Sequence, residues 1–304
     1  MAFNWQTFRT RTLTAAVFVV VMLAGLLWNE WSFLALFTVI HFGCWWEYFR
    51  LLEKINQTVY HPYVKMGFML MGFGLMLWCC GPLFEINGYS LKMNLSLPVS
   101  LAGILLLAIG IFLTRKISLR SLGAAALGVL YISLSWGLML SLYGEMDFHV
   151  SDTMFVLNGP VIPMAIILSI WVNDTMAYIV GSFIGKTPLS RISPKKTWEG
   201  TLGGILLSIA VMSFLVPWVY WKQEIRAFSI LMIGISGIAA IAGTLGDLLE
   251  SKLKRMAGVK DSGQLMPGHG GFLDRFDSLL LAIPCVWLYV TIVLHAFERP
   301  GYVS

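Results

Sequence analysis

Residues 227–297 read AFSILMIGISGIAAIAGTLGDLLESKLKRMAGVKDSGQLMPGHGGFLDRFDSLLLAIPCVWLYVTIVLHAF, and they contain the clearest indication of the class of fold. Two apolar runs, at about 227–248 and 279–297, enclose a polar segment, 251–278, that is rich in charged residues and glycine. A helix that crosses a bilayer needs about 20 mostly apolar residues. The pattern therefore predicts two membrane-spanning helices joined by a polar loop at a membrane surface.

The rest of the chain repeats this apolar pattern. Hydrophobic residues make up 58% of the sequence and charged residues 12%, whereas a soluble domain carries about twice that charge. We predict an all-α integral membrane protein, a polytopic bundle of about nine transmembrane helices. The predicted spans are 12–28, 31–49, 64–82, 96–114, 121–143, 161–182, 201–221, 227–248 and 279–297.

Lys and Arg are distributed unevenly across the nine predicted spans. With the N-terminus in the cytoplasm, only Lys92, Lys222, Arg226 and Arg299 fall on the outer side, and the other 17 of the 21 fall on the cytoplasmic side. Cytoplasmic loops of membrane proteins carry such an excess. We therefore expect a cytoplasmic N-terminus, an outer C-terminus and, in a bacterium, insertion in the inner membrane. The net charge of +5 then reflects topology and attraction to anionic lipid, not a nucleic-acid partner.

Polar residues divide the chain into two regions. Residues 1–120 hold few polar side chains within their spans and are predicted to be N-terminal transmembrane helices. Residues 121–304 are predicted to be a C-terminal catalytic region, whose motif loops are 185–200 and 251–278. Both motif loops fall on the predicted cytoplasmic side. We therefore predict a catalytic cluster at the cytoplasmic ends of the C-terminal helices.

Asn173 and Asp174 lie inside the sixth predicted span. A carboxylate at that depth is costly in lipid, so it should face the bundle interior or a water-filled cavity. Such a residue is often functional, although Asp174 could instead pair with a neighbouring helix.

The loop 185–200 contains adjacent lysines, Lys195 and Lys196, after Ser193 and Pro194. From a single turn the two ammonium groups can reach different phosphate groups. The alternative is an ordinary positive-inside loop, which explains the basic residues but not the order Ser-Pro-Lys-Lys-Thr-Trp-Glu-Gly.

The third polar cluster begins at the end of the eighth span. On a helix, Asp247, Ser251, Lys254 and Arg255 lie close to one face, at spacings of i, i+4, i+7 and i+8. Asp274 and Asp277, at i and i+3, can also point the same way. Asp247 and Asp274 could share one ion, while Asp277 could serve either as a metal ligand or as a helix cap.

Carboxylates surrounded by Lys and Arg suit Mg²⁺ that holds a polyphosphate, because Mg²⁺ takes one or two protein carboxylates and leaves room for phosphate oxygens. The run His269-Gly270-Gly271 adds backbone N–H groups with no side chains to obstruct a phosphate. His269 could alternatively order Asp261 or Asp274. The sequence contains no GxxxxGK[ST] loop.

These residues resemble the signature of the phosphatidate cytidylyltransferases, also called CDP-diacylglycerol synthases. The matching positions are Ser251, Lys254-Arg255, Lys260-Asp261, Gly263, Pro267, His269-Gly270-Gly271, Asp274-Arg275 and Asp277, together with Asn173-Asp174, Ala177-Tyr178, Gly181, Gly185-Lys186 and Ser193 to Gly200. The resemblance covers about 170–280. One departure is Met266, where the family usually has Leu, Ile or Phe.

The resemblance implies a nucleotidyltransferase of phospholipid biosynthesis that joins CTP and phosphatidic acid to give CDP-diacylglycerol and pyrophosphate. It implies Mg²⁺, with a monovalent cation such as K⁺ beside it as an open alternative, and often a homodimer. By position, the metal ligands would be Asp247 and Asp274, with Asp277 as a further candidate. The catalytic and phosphate-contacting residues would be Lys254, Arg255, Lys260, His269, Arg275, Ser193, Lys195, Lys196, Gly270 and Gly271.

Two other interpretations remain. Another membrane enzyme of CTP and lipid phosphate, such as a CDP-archaeol synthase or a polyprenol kinase, would use the same groups. A secondary transporter would suit nine spans and an intramembrane Asp174. Against transport, the sequence shows no internal repeat, and its polar groups gather near the predicted cytoplasmic surface.

Overall fold

The computed structural model describes residues 5–114, 118–144, 146–150, 153–157, 159–215, 225–263 and 270–297. The chain divides into two compact units. Unit 1 comprises residues 1–141 and 252–276, and unit 2 comprises residues 142–251 and 277–304. The sequence-based division near residue 120 separates regions by chemical content and stays a prediction.

Unit 1 is built mainly from helices. They are α1 (Trp5–Leu27), α2 (Glu30–Asn56), α3 (Pro62–Trp78), α4 (Ser96–Leu113), α5 (Leu119–Gly128) and α6 (Ser135–Ser141). A π-helical segment, Leu91–Leu95, precedes α4, and another, Val129–Leu134, joins α5 to α6. Unit 1 also holds the hairpin of β1 (Glu85–Ile86) and β2 (Tyr89–Ser90).

Local sequence explains where α2 begins and ends. The Asn29 side chain accepts a hydrogen bond from the Ser32 backbone N–H, and the Ser32 hydroxyl lies 3.0 Å from the Asn29 backbone nitrogen. This capping box satisfies two backbone donors that the first turn leaves open. At the other end, Gln57 adopts a left-handed conformation with φ 48° and stops the helix.

The core of unit 1 is aromatic and lies around α2. Phe33, Phe37 and Trp45 of α2 are completely buried, as is Trp136 of α6. The Trp45 indole N–H donates to the Ser133 hydroxyl at 2.9 Å, so the buried ring leaves no polar atom unsatisfied. This packing fixes α2 against α6 and thereby fixes the polar residues near the end of α2.

Unit 2 contains a second hairpin and the remaining helices. The strands β3 (Met146–Val150) and β4 (Thr153–Leu157) pair antiparallel, and α7 (Val161–Ile184) packs against α8 (Trp198–Ala210). Helix α8 continues into a π-helical segment, Val211–Leu215. The helices α9 (Ile225–Met256) and α10 (Leu273–Phe297) each contribute to both units.

The architecture is that of a helical membrane protein, as the sequence predicted. Each of the nine predicted spans overlaps helix in the described residues, although the third runs past the end of α3 at Trp78. Within the part of the chain that the structure describes, five segments are long and apolar enough to cross a membrane: Leu91–Leu113, Leu119–Ser141, Val161–Ile184, Phe228–Met256 and Leu273–Val293. Shorter apolar helices cover Ala16–Leu27 and Trp198–Phe214. The exact number of nine crossings stays a prediction.

Two details differ from the sequence-based expectation. The two short hairpins lie outside an all-α description, and the first of them turns through Asn87-Gly88, whose positive φ angles of 49° and 80° suit a tight hairpin turn. The predicted loop 251–278 is shorter than expected, because α9 extends to Met256 and α10 begins at Leu273. Lys254 and Arg255 fall in the last turn of α9, where the helix dipole favours cations.

Candidate functional site

An acidic cluster in unit 2 is formed by Asp247, Glu250 and Asp277. Each offers a carboxylate oxygen, and the three oxygens lie within 4.8 Å of one another. Asp247 and Glu250 share a face of α9 at i and i+3, and Asp277 comes from α10. Glu250 is 0% exposed and Asp277 7% exposed. Three carboxylates this close together repel one another unless a cation compensates them.

A glycine allows the two helices of the acidic cluster to approach. A Cβ atom added to Gly246 would lie 2.6 Å from the Asp277 backbone oxygen, which is too close for any side chain. Asp277 itself lies beyond the first turn of α10, which begins at Leu273. The alternative that Asp277 caps this helix is therefore wrong, and its carboxylate accepts from the Ser278 backbone N–H at 2.6 Å.

Lys196 of the motif loop contacts the acidic cluster directly. Its ammonium group forms a salt bridge with Asp247, and both side chains remain partly exposed. Lys196 and Asp247 also interact electrostatically with Asp174 of α7. The loop 185–200 therefore brings a cation to the acidic cluster, of which the sequence predicted Asp247 and Asp277 but not Glu250, and Asp174 belongs to the same polar region.

Hydrogen bonds to Glu199 and Thr197 give the loop 185–200 a defined shape. The Thr197 side chain accepts from the Gly200 backbone N–H at 3.1 Å and caps α8. Glu199 accepts from the Thr187 hydroxyl at 2.8 Å and from the backbone N–H groups of Lys186 and Thr187 at 3.2 Å. Hydrogen bonds from its own backbone N–H and from these same groups lower the pKa of Glu199 to about 2.

The polar pair inside α7 divides between interior and surface. Asn173 is buried, and its amide N–H donates to the Thr244 hydroxyl of α9 at 3.4 Å. Asp174 is exposed on the described chain. Asn173 thus links α7 to α9, whereas Asp174 is exposed, and both its placement in a water-filled cavity and its pairing with a neighbouring helix stay predictions.

A second polar group, the loop-anchoring cluster, lies in unit 1 and consists of Glu47, Lys254, Ser262, Gly271 and Asp274. Glu47 of α2 is 2% exposed. Its carboxylate accepts hydrogen bonds from the Ser262 hydroxyl at 2.7 Å and from the backbone N–H groups of Phe272 and Leu273 at 3.0 and 2.9 Å. The two backbone donors are at the start of α10, where the helix dipole favours an anion.

Asp274 is the second carboxylate of the loop-anchoring cluster. One of its oxygens lies 2.7 Å from the Lys254 ammonium group. The other accepts from the Gly271 and Ser262 backbone N–H groups, each at 2.9 Å. Asp274 therefore joins the end of α9, the following loop and the start of α10. Its predicted role as a metal ligand stays a prediction.

Glycines of this loop make room for the two carboxylates. A Cβ atom on Gly263 or Gly271 would collide with the Glu47 carboxylate, and one on Gly270 would lie 2.9 Å from an Asp274 oxygen. Gly270 also has a φ of 86°, which few other residues tolerate. The sequence predicted that Gly270 and Gly271 bind phosphate. That role is still a prediction, and the structure supplies a second physical reason for both glycines.

Several predicted site residues are exposed or partly exposed on the described chain. Arg255, Lys260, Arg275 and Lys195 are exposed, and Ser193 is partly exposed. The Ser193 carbonyl accepts from the Lys196 backbone N–H at 3.1 Å, which shapes the turn that carries both lysines. His269 lies outside the described residues.

Sequence reasoning missed Glu47 and Glu250. Glu47 is a carboxylate within the predicted span 31–49, which is the same signal that indicates a site at Asp174, whereas Glu250 lies two residues beyond the predicted span 227–248. Glu47 lies in the first 120 residues, whose predicted spans hold few polar side chains and no recognisable motif. Glu250 stands beside the basic residues that follow the eighth span, and these residues dominate the local pattern.

Comparisons with known proteins place these groups in a family context. The model of the cytidylyltransferase family matches residues 9–293. The chain is 44% identical over 145 residues to a phosphatidate cytidylyltransferase of Synechocystis sp., which covers 47% of each protein. It is 42% identical over 125 residues to phosphatidate cytidylyltransferase 4, chloroplastic, of Arabidopsis thaliana, covering 41% of this chain and 31% of the relative.

A third relative is a phosphatidate cytidylyltransferase of Staphylococcus aureus. The two are 43% identical over 118 residues, which is 38% of this chain and 44% of the relative. The chain thus spans about half the length, or less, of the curated relatives that it matches.

Proposed function

Because this chain belongs to the cytidylyltransferase family, we propose that it transfers the cytidylyl group of CTP to phosphatidic acid. The products are CDP-diacylglycerol and pyrophosphate. The observation that carries the proposal is the salt bridge between Lys196 and Asp247 at the edge of the acidic cluster. Transfer of a cytidylyl group from one phosphate to another needs two kinds of group, a lysine that binds phosphate and carboxylates that bind a cation.

The acidic cluster fits a hard divalent cation such as Mg²⁺. Its donors are carboxylate oxygens, which Mg²⁺ prefers, and the three lie close enough to contribute to one ion. Asp247, Glu250 and Asp277 would hold the cation, and a bound Mg²⁺ would neutralise charge on the phosphates of CTP. The sequence left open a K⁺ ion beside the Mg²⁺, and this second cation stays part of the proposal. Measuring activity while K⁺ is titrated at fixed Mg²⁺ tests it.

The chain's own residues then have positioning and charge-neutralising roles. Phosphatidate brings its own nucleophile, a phosphate oxygen that is already anionic near neutral pH. That oxygen bonds to the α-phosphorus of CTP, while the bond from the α-phosphorus to the bridging oxygen breaks and releases pyrophosphate. Lys195 and Lys196 hold phosphate groups and reduce the repulsion between the two anionic substrates.

The lipid substrate explains why such groups would be built on membrane helices. Phosphatidate stays in the bilayer and CTP in the aqueous phase, so the reacting groups must lie near the ends of the spanning helices. Lys196 lies in a loop between two apolar helices, and Asp247 is within the last three turns of α9. Both positions suit a reaction at a membrane surface.

The experiment is incorporation of label from CTP into lipid by the purified chain, with phosphatidate in mixed micelles and Mg²⁺. Label in the α-phosphate should enter chloroform-extractable lipid, and label in the γ-phosphate should not. Transfer of the γ-label would instead indicate a CTP-dependent lipid kinase. Incorporation of neither label at saturating Mg²⁺ would contradict the proposal. Light scattering of the same preparation tests the proposed homodimer.

A further inference from the structure

A basic cavity in unit 1 lies between the end of α2 and the loop that follows α9. It has a volume of about 360 Å³ and is lined by Arg50, Leu51 and Lys54 of α2 and by residues 259–263 of the loop. Pockets that bind small ligands begin at about 300 Å³. The cavity is therefore large enough for a phosphate or pyrophosphate group with its solvent.

The charges that line this cavity are predominantly positive. Arg50, Lys54 and Lys260 contribute three cations, and Asp261 contributes one carboxylate. Among the described residues, no salt bridge joins any of these three cations to an acid. Glu53, the acid beside Lys54, is instead bound to Lys65 at 2.7 Å. The cavity thus keeps a net positive charge, which favours an anionic ligand.

The loop-anchoring cluster holds the two walls of the cavity together. Glu47, Arg50 and Lys54 follow one another at i, i+3 and i+7, so they share one face of α2. The Ser262 hydroxyl donates to Glu47 at 2.7 Å, and Ser262 itself lines the cavity. The buried Glu47 therefore holds the loop that carries Lys260 and Asp261 beside the face of α2 that carries Arg50 and Lys54.

We propose that this cavity is a phosphate-binding subsite in which Arg50 and Lys54 of α2 act together with Lys260. Guanidinium and ammonium groups that converge from two elements recognise phosphate by charge-assisted hydrogen bonds. The proposal assigns a binding role to the N-terminal helices. Only the identity of the phosphate compound that binds there rests on the proposed function. The phosphate belongs either to a lipid headgroup or to a soluble nucleotide.

Binding is tested first without catalysis, with the purified full chain in EDTA so that no divalent cation assists. Calorimetry follows inorganic pyrophosphate and, separately, short-chain dioctanoyl phosphatidate. The test variant combines Arg50→Gln with Lys54→Gln. Arg120→Gln is the matched control, because Arg120 is also exposed and lies outside the cavity. A second variant, Arg50→Lys with Lys54→Arg, keeps both charges.

We expect the double Gln variant to lose one phosphate site or to bind at least tenfold more weakly, while the control and the charge-keeping variant match wild type. Loss for pyrophosphate alone assigns the cavity to a nucleotide, and loss for phosphatidate alone assigns it to the lipid. Unchanged binding of both ligands in the double Gln variant, or no binding of either by wild type, overturns the subsite. These outcomes do not depend on turnover, so an inactive chain would contradict the proposed function separately.

Discussion

The Glu47 carboxylate accepts a hydrogen bond from the Ser262 hydroxyl at 2.7 Å, although the two residues are 215 positions apart in the sequence. The same hydroxyl lies 2.9 Å from Asp274. One serine therefore links a buried acid of α2 to an acid in the first turn of α10. A single hydroxyl proton serves one carboxylate at a time, so the backbone N–H groups around it supply the rest of the stabilisation.

Replacing Glu47 should destabilise unit 1. In Glu47→Ala, the backbone N–H groups of Phe272 and Leu273 lose their acceptor, and each buried unsatisfied donor costs about 1–3 kcal/mol. In Glu47→Gln, the two carboxylate oxygens face different backbone donors, so an amide N–H₂ must oppose one of them. We expect a lower melting temperature in detergent for both variants, with Ala the worse.

Glu53→Gln is the matched control for Glu47, because Glu53 lies on the same helix but pairs with Lys65 at a partly exposed site. Partly exposed ion pairs contribute at most about 1 kcal/mol. A Glu47→Ala variant that melts within one degree of the control would show that this carboxylate does not hold the loop.

The acidic cluster should determine the response to metal. Asp247→Asn, Glu250→Gln and Asp277→Asn each remove an anionic ligand and keep the side-chain shape. We expect each to reduce turnover more than about 100-fold, since stabilisation by a cation is worth several kcal/mol. We also expect weaker Mn²⁺ binding, measured by electron paramagnetic resonance with Mn²⁺ in place of Mg²⁺. Mn²⁺ affinity within twofold of wild type in all three variants would exclude this set of ligands.

Asp274→Asn separates an anchoring role from metal ligation. The change removes the ion pair with Lys254 and leaves one side-chain acceptor for several donors. If Asp274 anchors the loop, we expect a lower melting temperature, because breaking a buried pair leaves an uncompensated charge, with Mn²⁺ affinity unchanged. Weaker Mn²⁺ binding with an unchanged melting temperature would instead make Asp274 the metal ligand that the sequence predicted.

The helices were predictable from sequence because bilayer thickness sets the length of an apolar run. The predicted span 227–248 falls within α9, whose polar end continues to Met256 and carries the predicted helical face of Asp247, Ser251 and Lys254, although hydropathy alone does not separate such a polar helix end from a loop. The pairing of Asp247 with Lys196 and the position of Asp277 beside Glu250 need the packing of helices far apart in sequence. The steric reason for Gly271 likewise depended on Glu47, whose position near the loop no local pattern reveals.

The adjacent lysines should differ in their effects. Lys196 is bound to Asp247, whereas Lys195 is exposed. We expect Lys196→Ala to lower kcat and raise the KM for CTP, because it alters both phosphate binding and the acidic cluster. Lys195→Ala should raise KM with a smaller change in kcat. Wild-type kinetics in both variants would reduce the pair to ordinary positive-inside residues.

Topology is the last and broadest prediction. The hydrogen bond from Ser262 to Glu47 puts the C-terminal part of α2 on the same side as the loop after α9, and the salt bridge from Lys196 to Asp247 associates the loop 185–200 with the C-terminal part of α9. Both contacts agree with the uneven distribution of Lys and Arg, which predicts that these loops are cytoplasmic.

Cysteine labelling tests this topology. We replace Cys44, Cys79, Cys80 and Cys285 and introduce single cysteines at Lys252 and Lys92, both of which are exposed. A membrane-impermeant maleimide should label position 92 in intact cells and position 252 only in inverted vesicles. Labelling of position 252 from the outside would contradict the topology and, with it, the use of cytosolic CTP.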